Sequence, residues 1–131
     1  MSAIRPIHLF ALAAFLGTSA ASGSDLQGDA ANGKELFQAS GCVACHSVTP
    51  GDASKVGPSL FGVVGRKAGT APSLLGATAK LKSYGVIWTA ETLDEFLADP
   101  NAKVPGTPMA GRLIDPQQRA DVIAYLYTLK E

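Results

Sequence analysis

The first strong pattern in the chain is an apolar run from Ile7 to Gly17, broken only by His8. Arg5 precedes it as the only charge in the first 24 residues, and small residues from Thr18 to Gly23 follow it. A charged start, an apolar stretch and small residues read together as an export signal. The run is too short to span a bilayer, which takes about 20 apolar residues. Cleavage suits the positions after Ala20, Ala21 or Gly23. We place the signal at residues 1–23 and a single domain at 24–131, which points to a soluble periplasmic protein with no stable membrane insertion after cleavage.

Beyond a short stretch at 24–28 that reads as disordered, the periodicity is helical. A helix is expected over roughly Ala30 to Ser40, with Asp29 as N-cap and Leu36 and Phe37 facing a core. Gly33 lies one turn before Phe37, where glycine costs about 1 kcal/mol against alanine. A second helix fits Ala90 to Ala98, capped by Thr89 and ended by Pro100, with Leu93, Phe96 and Leu97 on one face. A third fits Pro116 to Lys130. Asp115 caps it, Gln118 completes a capping-box pattern, and Val122, Ile123, Leu126 and Leu129 form its stripe beside Tyr125. Residues 47–87 alternate nowhere as a strand does and are punctuated by Gly and Pro, leaving one short helix near Ala77 to Lys82. A loop region that long inside one domain implies that something else organises it.

Composition sharpens this. The chain has 14 glycines and 8 prolines, and its 11 basic and 11 acidic residues fall to 10 and 11 once Arg5 is removed. A near-neutral balance gives no reason to expect nucleic acid as a partner. The domain at 24–131 keeps two Cys, one His and one Met: Cys42, Cys45, His46 and Met109. Mechanisms that need two histidines in one chain are excluded.

Those residues carry the chemistry. Cys42-Val43-Ala44-Cys45-His46 is the C-x-x-C-H pattern of c-type haem attachment. On a helical turn of 3.6 residues, such positions share about 100° of arc. Two thiols can add to two haem vinyl groups while the adjacent imidazole reaches the iron. A redox dithiol would expect βαβ patterning, which is absent. A structural zinc site would need a fourth ligand. A plain disulfide would leave His46 unexplained. With His46 on one side of the iron, Met109 is the candidate for the other. It sits in Val104-Pro105-Gly106-Thr107-Pro108-Met109-Ala110-Gly111, too rich in Pro and Gly for a helix and away from any apolar stripe. His/Met ligation raises the reduction potential and fills both axial positions.

With both ligands placed, the pattern resembles class I cytochrome c, close to the mitochondrial type and its soluble bacterial relatives. The similarity runs from about Asp29 to Leu129. It includes Gly33 with Phe37, the 42–46 motif, Gly57-Pro58-Ser59-Leu60, Gly65-Arg66-Lys67-Ala68-Gly69, Trp88, the Pro105 to Met109 loop, and Ile123-Ala124-Tyr125-Leu126. The resemblance implies an all-α fold of three main helices, with short helices and loops, around one covalent haem c. It also implies that Gly33 lets the first and last helices cross beside Tyr125, and that the Pro58 carbonyl accepts a hydrogen bond from His46. Arg66 and Trp88 would bond or screen a buried haem propionate, and Thr107 would support the ligand loop.

Departures point to a bacterial branch. Gly76 stands where the mitochondrial pattern has a propionate-bonding Tyr, with Tyr84 as the available substitute. Phe96 replaces a Tyr near the Met sulfur, and the segment after Met109 lacks its usual aromatic. Pro108 takes a common lysine position, leaving Lys55, Lys67, Lys80, Lys82 and Lys103 around the expected haem edge. The expected function is a monomeric electron carrier, not an enzyme, between larger donor and acceptor redox proteins. The alternatives are a dedicated subunit of a periplasmic oxidoreductase, or a haem enzyme or gas sensor.

Overall fold

A computed structural model describes residues 27–131, and residues 1–23, expected to be an export signal, lie outside them. The regular elements are α1 (Ala30–Ala39), α2 (Cys42–Cys45), α3 (Ala79–Tyr84), α4 (Ala90–Ala98), α5 (Pro100–Lys103) and α6 (Pro116–Thr128). Among the described residues there is no strand, only one antiparallel bridge between Lys67 and Ile87.

The helix starts follow from side-chain caps. Asp29 accepts the N–H groups of Ala31 and Asn32. Thr89 and Thr92 form a reciprocal capping box, with Thr92 taking the role usual for Glu or Gln. Asp115 accepts from Gln117 and Gln118 through their backbone. Gln118 therefore contributes its N–H to the cap, not the side-chain arm that the sequence pattern suggested. The short helix near residue 80 begins two residues later than expected because Thr78 caps it by accepting the Leu81 N–H. Pro100 ends α4 and also opens α5, whose N-cap, Asp99, is shared as the C-cap of α4.

Helix α1 packs chiefly against α6, and α4 lies against α6 as well. Phe37, Leu93, Phe96, Val122, Ile123 and Leu126 meet in their common core. Gly33 is buried where α1 crosses α6, and a Cβ there would collide with the Asp121 carbonyl. The approach of the two backbones is what fixes this position as glycine. Gln27 and Gly28, expected to be disordered, are instead tied down. Gln117 Nε2 donates to the Gln27 carbonyl at 3.0 Å, and Gly28 lies against Ala120.

Residues 47–78 form a layer of turns that wraps the side of the helices left uncovered. Its order comes from backbone bonds to distant segments. Leu60 N–H reaches the Ser47 carbonyl, Ser59 N–H the Pro72 carbonyl, and Gly65 N–H the Trp88 carbonyl. Val63 and Ala68 are each 2% exposed and turn this layer's inner face into core.

Candidate functional site

Between the helices and the turn layer lies a cavity of about 290 Å³, and α2 delivers three side chains to it. Cys42 and Cys45 occupy one helical turn, and His46 leaves it in extended conformation. The His46 N–H still closes onto the Cys42 carbonyl at 2.9 Å, so the three side chains stay together. Both thiols are free. Burial pushes the Cys42 thiol above its ordinary pKa.

His46 is held from behind. Its Nδ1 lies 2.7 Å from the Pro58 carbonyl, and because a carbonyl only accepts, Nδ1 carries the proton. Nε2 is left as the lone-pair nitrogen. Burial lowers the pKa of the ring, partly opposed by the Pro58 bond. Gly57 leaves space for this arrangement: a Cβ there would lie 2.7 Å from His46 Cε1. The following loop is fastened by Ser47, whose hydroxyl donates to Asp52 Oδ2 at 2.7 Å. That bond, with those from Ser54, pushes the Asp52 carboxyl down to about 2.

A second wall carries a cation without an anion. Arg66 donates from its two terminal nitrogens to the Ser59 carbonyl at 2.6 Å and the Phe61 carbonyl at 3.0 Å. Its Nε is buried without a partner, and burial lowers its pKa. Trp88, 7% exposed, lines the same cavity and meets Phe96 edge to face at 5.1 Å.

Met109 arrives on a loop locked at several points. Val104 anchors its start, 2% exposed. Asn101 Oδ1 accepts the Gly106 N–H at 2.8 Å, and Thr107 Oγ1 accepts the Met109 N–H at 3.3 Å. After Met109, Leu113 N–H bonds to the Leu97 carbonyl. Arg119 then grips the Leu113 and Ile114 carbonyls and Asp94 Oδ1.

All eight residues singled out from sequence line this one cavity: Cys42, Cys45, His46, Pro58, Arg66, Trp88, Thr107 and Met109. Tyr84 does not. It packs against Trp88 and Phe96 and borders a separate groove with Lys80 and Lys103. The fasteners Asn101, Arg119 and the Ser47–Asp52 pair escaped sequence reading. Only the Asp-Pro-Asn run at 99–101, an N-cap signal, hinted at any of them.

The donor set limits what can bind. Among the described residues, no three His, Cys, Asp or Glu side chains form a group able to hold a metal ion. A metal here must bring most of its coordination with it, leaving at most one imidazole and one thioether to come from the chain. The walls are otherwise mostly apolar, and the single buried guanidinium calls for an anionic group on the ligand. An iron porphyrin bearing carboxylates fits all of this.

The family model described as Cytochrome c matches residues 30–130. The chain belongs to the cytochrome c family. It is 47% identical over 110 residues to cytochrome c2 of Rhodopila globiformis, covering 82% of this chain and all of that one. Cytochrome c2 of Blastochloris viridis is 42% identical, over 90% of this chain and 87% of its own. The solved structure of cytochrome cH from Methylobacterium extorquens superimposes with a TM-score of 0.68 at 43% identity, over 77% of this chain and 99% of that one. Membership assigns one covalent haem c with its iron, and the role of an electron carrier between redox partners rather than of an enzyme.

Proposed function

We propose that this cytochrome is a soluble, exported carrier whose iron is held by His46 Nε2 and the Met109 sulfur, with Cys42 and Cys45 as the two thioether attachment points. The observation that carries this reading is the convergence of both free thiols, the oriented imidazole and the Met109 loop on one cavity. When bound, the haem supplies a one-electron iron couple. The residues around it keep the site from changing between oxidation states. Pro58 fixes the imidazole and increases its basicity. Asn101, Thr107 and Arg119 hold the Met109 loop on both sides of the ligand. Arg66 and Trp88 take the buried propionate, which completes the partner set of Arg66 Nε.

Residues 1–23 act as a signal that is removed, which places a monomeric carrier in the periplasm between a larger donor and a larger acceptor. Mass spectrometry of the holoprotein tests this directly. The expected species is a chain beginning between Ala21 and Asp25 plus one haem, with no free thiol. Haem released by acid and organic solvent, or a membrane-bound chain still starting at Met1, defeats the reading.

A further inference from the structure

The chain contains two asparagines, Asn32 and Asn101. Alanine follows Asn101, but Gly33 follows Asn32. That difference is chemical. The backbone nitrogen after an asparagine can attack its side-chain carbonyl and close a cyclic imide. Glycine permits this most readily, because it has no side chain to hinder the approach and the widest choice of backbone angles.

Neither residue of the pair is free to be something else. Gly33 is buried where α1 meets α6, and a Cβ there would run into the Asp121 carbonyl. Asn32 Nδ2 donates to Asp121 Oδ2 at 2.6 Å, one of the bonds that let a carboxylate only 3% exposed stay charged. The crossing of the two helices therefore requires a labile dipeptide at its own contact.

The folded structure holds that dipeptide inert. Asn32 lies in the first turn of α1, and its N–H donates to Asp29 Oδ1. The Gly33 N–H, the group that must attack, is spent on the Asp29 carbonyl at 2.8 Å. Helical backbone angles aim that nitrogen away from the side-chain carbonyl. The bond to Asp121 keeps the Asn32 amide turned toward α6. Asn32 is exposed, so water reaches it and geometry alone prevents the reaction.

We propose that Asn32-Gly33 is a self-modification site that the α1–α6 crossing keeps shut. When the crossing opens, the Gly33 nitrogen bonds to Asn32 Cγ. The Cγ–Nδ2 bond breaks, and Nδ2 leaves as ammonia with the proton lost from Gly33. A water molecule then opens the imide at either carbonyl, leaving aspartate or isoaspartate in place of Asn32. No oxidant or reductant takes part. The product cannot rebuild the contact. A donor has become a carboxylate facing Asp121, and like charges at hydrogen-bond distance repel. Isoaspartate also inserts a methylene into the backbone just before Gly33, where the two helices have no room. Opening of the crossing is thus recorded irreversibly, and the modified carrier folds less well than its parent.

The test incubates the holoprotein at neutral pH, in buffer and in guanidinium chloride above its unfolding midpoint. Peptide mass spectrometry follows the conversion of amide to acid at Asn32, and isoaspartyl methyltransferase labelling identifies the rearranged product. Conversion should be at least about a hundredfold faster in the unfolded chain, because a closed site reacts only through its rare open form. Asn101, opened by the same treatment, should lag behind Asn32 by roughly tenfold or more. Asp121→Asn, which weakens the crossing, should raise the rate in plain buffer by roughly tenfold or more. Asn32→Gln keeps an amide donor, closes a ring far less readily and should abolish the reaction. Asn32→Asp makes the product directly and should lower the folded-to-unfolded ratio by at least about tenfold. Equal rates in folded and unfolded protein overturn the proposal. So does an Asn32 that stays intact when unfolded, an Asp121→Asn rate no higher than the parent's, or an Asn32→Asp variant as stable as the parent.

Discussion

The backbone N–H of Asp29 donates to Asp121 Oδ1 at 2.8 Å, joining the N-cap of α1 to the middle of α6. Asn32 Nδ2 reaches the other carboxylate oxygen at 2.6 Å, and Gln117 Nε2 reaches Oδ1 at 2.9 Å. Asp121 is only 3% exposed. A buried carboxylate is tolerated because these donors replace the water that it loses. The Asp29 bond and those of Gln117 and Asn32 outweigh the opposing effect of burial and hold its pKa below the ordinary value.

This relationship makes stability depend on pH. A carboxyl whose folded pKa lies below its unfolded value contributes stability above the unfolded pKa. It loses that contribution as pH falls through the folded pKa. Asp121→Asn keeps the size and removes the charge; its amide oxygen can still accept from Asp29 and Gln117, but its NH₂ then faces the Asn32 amide donor. The variant should lose about 2 kcal/mol at neutral pH. The difference from the parent should shrink as pH drops below the ordinary carboxylate range. Denaturant midpoints of both holoproteins across that range check it. A constant gap would show that Asp121 acts through shape alone.

Gly33→Ala should cost about 3 kcal/mol or more, because the new methyl meets the Asp121 carbonyl and neither helix backbone can yield alone. Gly111→Ala is the matched control. No atom lies within 4 Å of a Cβ there, and its φ is not positive. It should change stability by less than about 0.5 kcal/mol. Thermal unfolding of the two variants separates close packing from a general effect of adding a methyl group.

Gly57→Ala acts at the imidazole. The added Cβ would press on His46 Cε1 and on the Cys45 carbonyl. Relief comes from tilting the ring or from lengthening the bond to Pro58, and both weaken the support behind the ligand. The potential should shift and the exchange of the Nδ1 proton should quicken, while haem stays covalently attached. Proton NMR of the ferrous protein reads the exchange directly. A variant with an unchanged Nδ1 proton would mean that the loop, not the ring, absorbs the strain.

Sequence patterns revealed what depends on local chemistry. Caps at Asp29, Thr89 and Asp115, the spacing of Cys42, Cys45 and His46, and the apolar stripes of α4 and α6 are encoded within a few residues of where they act. Long-range polar bonds were hidden. Asp121 reads as a solvated helix residue until the α1–α6 crossing buries it. Arg119 reads as a surface charge until the chain after Met109 folds back beneath it. Tyr84 lies close in sequence to the residues of the site, but its ring is spent on Trp88 and Phe96.

Met109→Ala tests the proposed ligation. Met109 is the domain's one methionine, and its loop is fastened at Asn101, Thr107 and Leu113. Removing the thioether should abolish the far-red band of ferric Met ligation, lower the potential and let carbon monoxide bind the ferrous protein. Haem should stay attached, because the thioether links do not involve this residue. Phe96 refines the argument. It lines the same cavity without a hydroxyl, so the sulfur, in the proposed ligation, would lack one possible hydrogen-bond donor and keep its electron density for ferric iron. Phe96→Tyr should raise the potential while keeping the far-red band. A donated bond worth about 1 kcal/mol corresponds to about 40 mV for a one-electron couple. Ready carbon monoxide binding by the unaltered ferrous protein, or an unchanged spectrum in Met109→Ala, would leave the second axial position open and favour a haem enzyme or sensor.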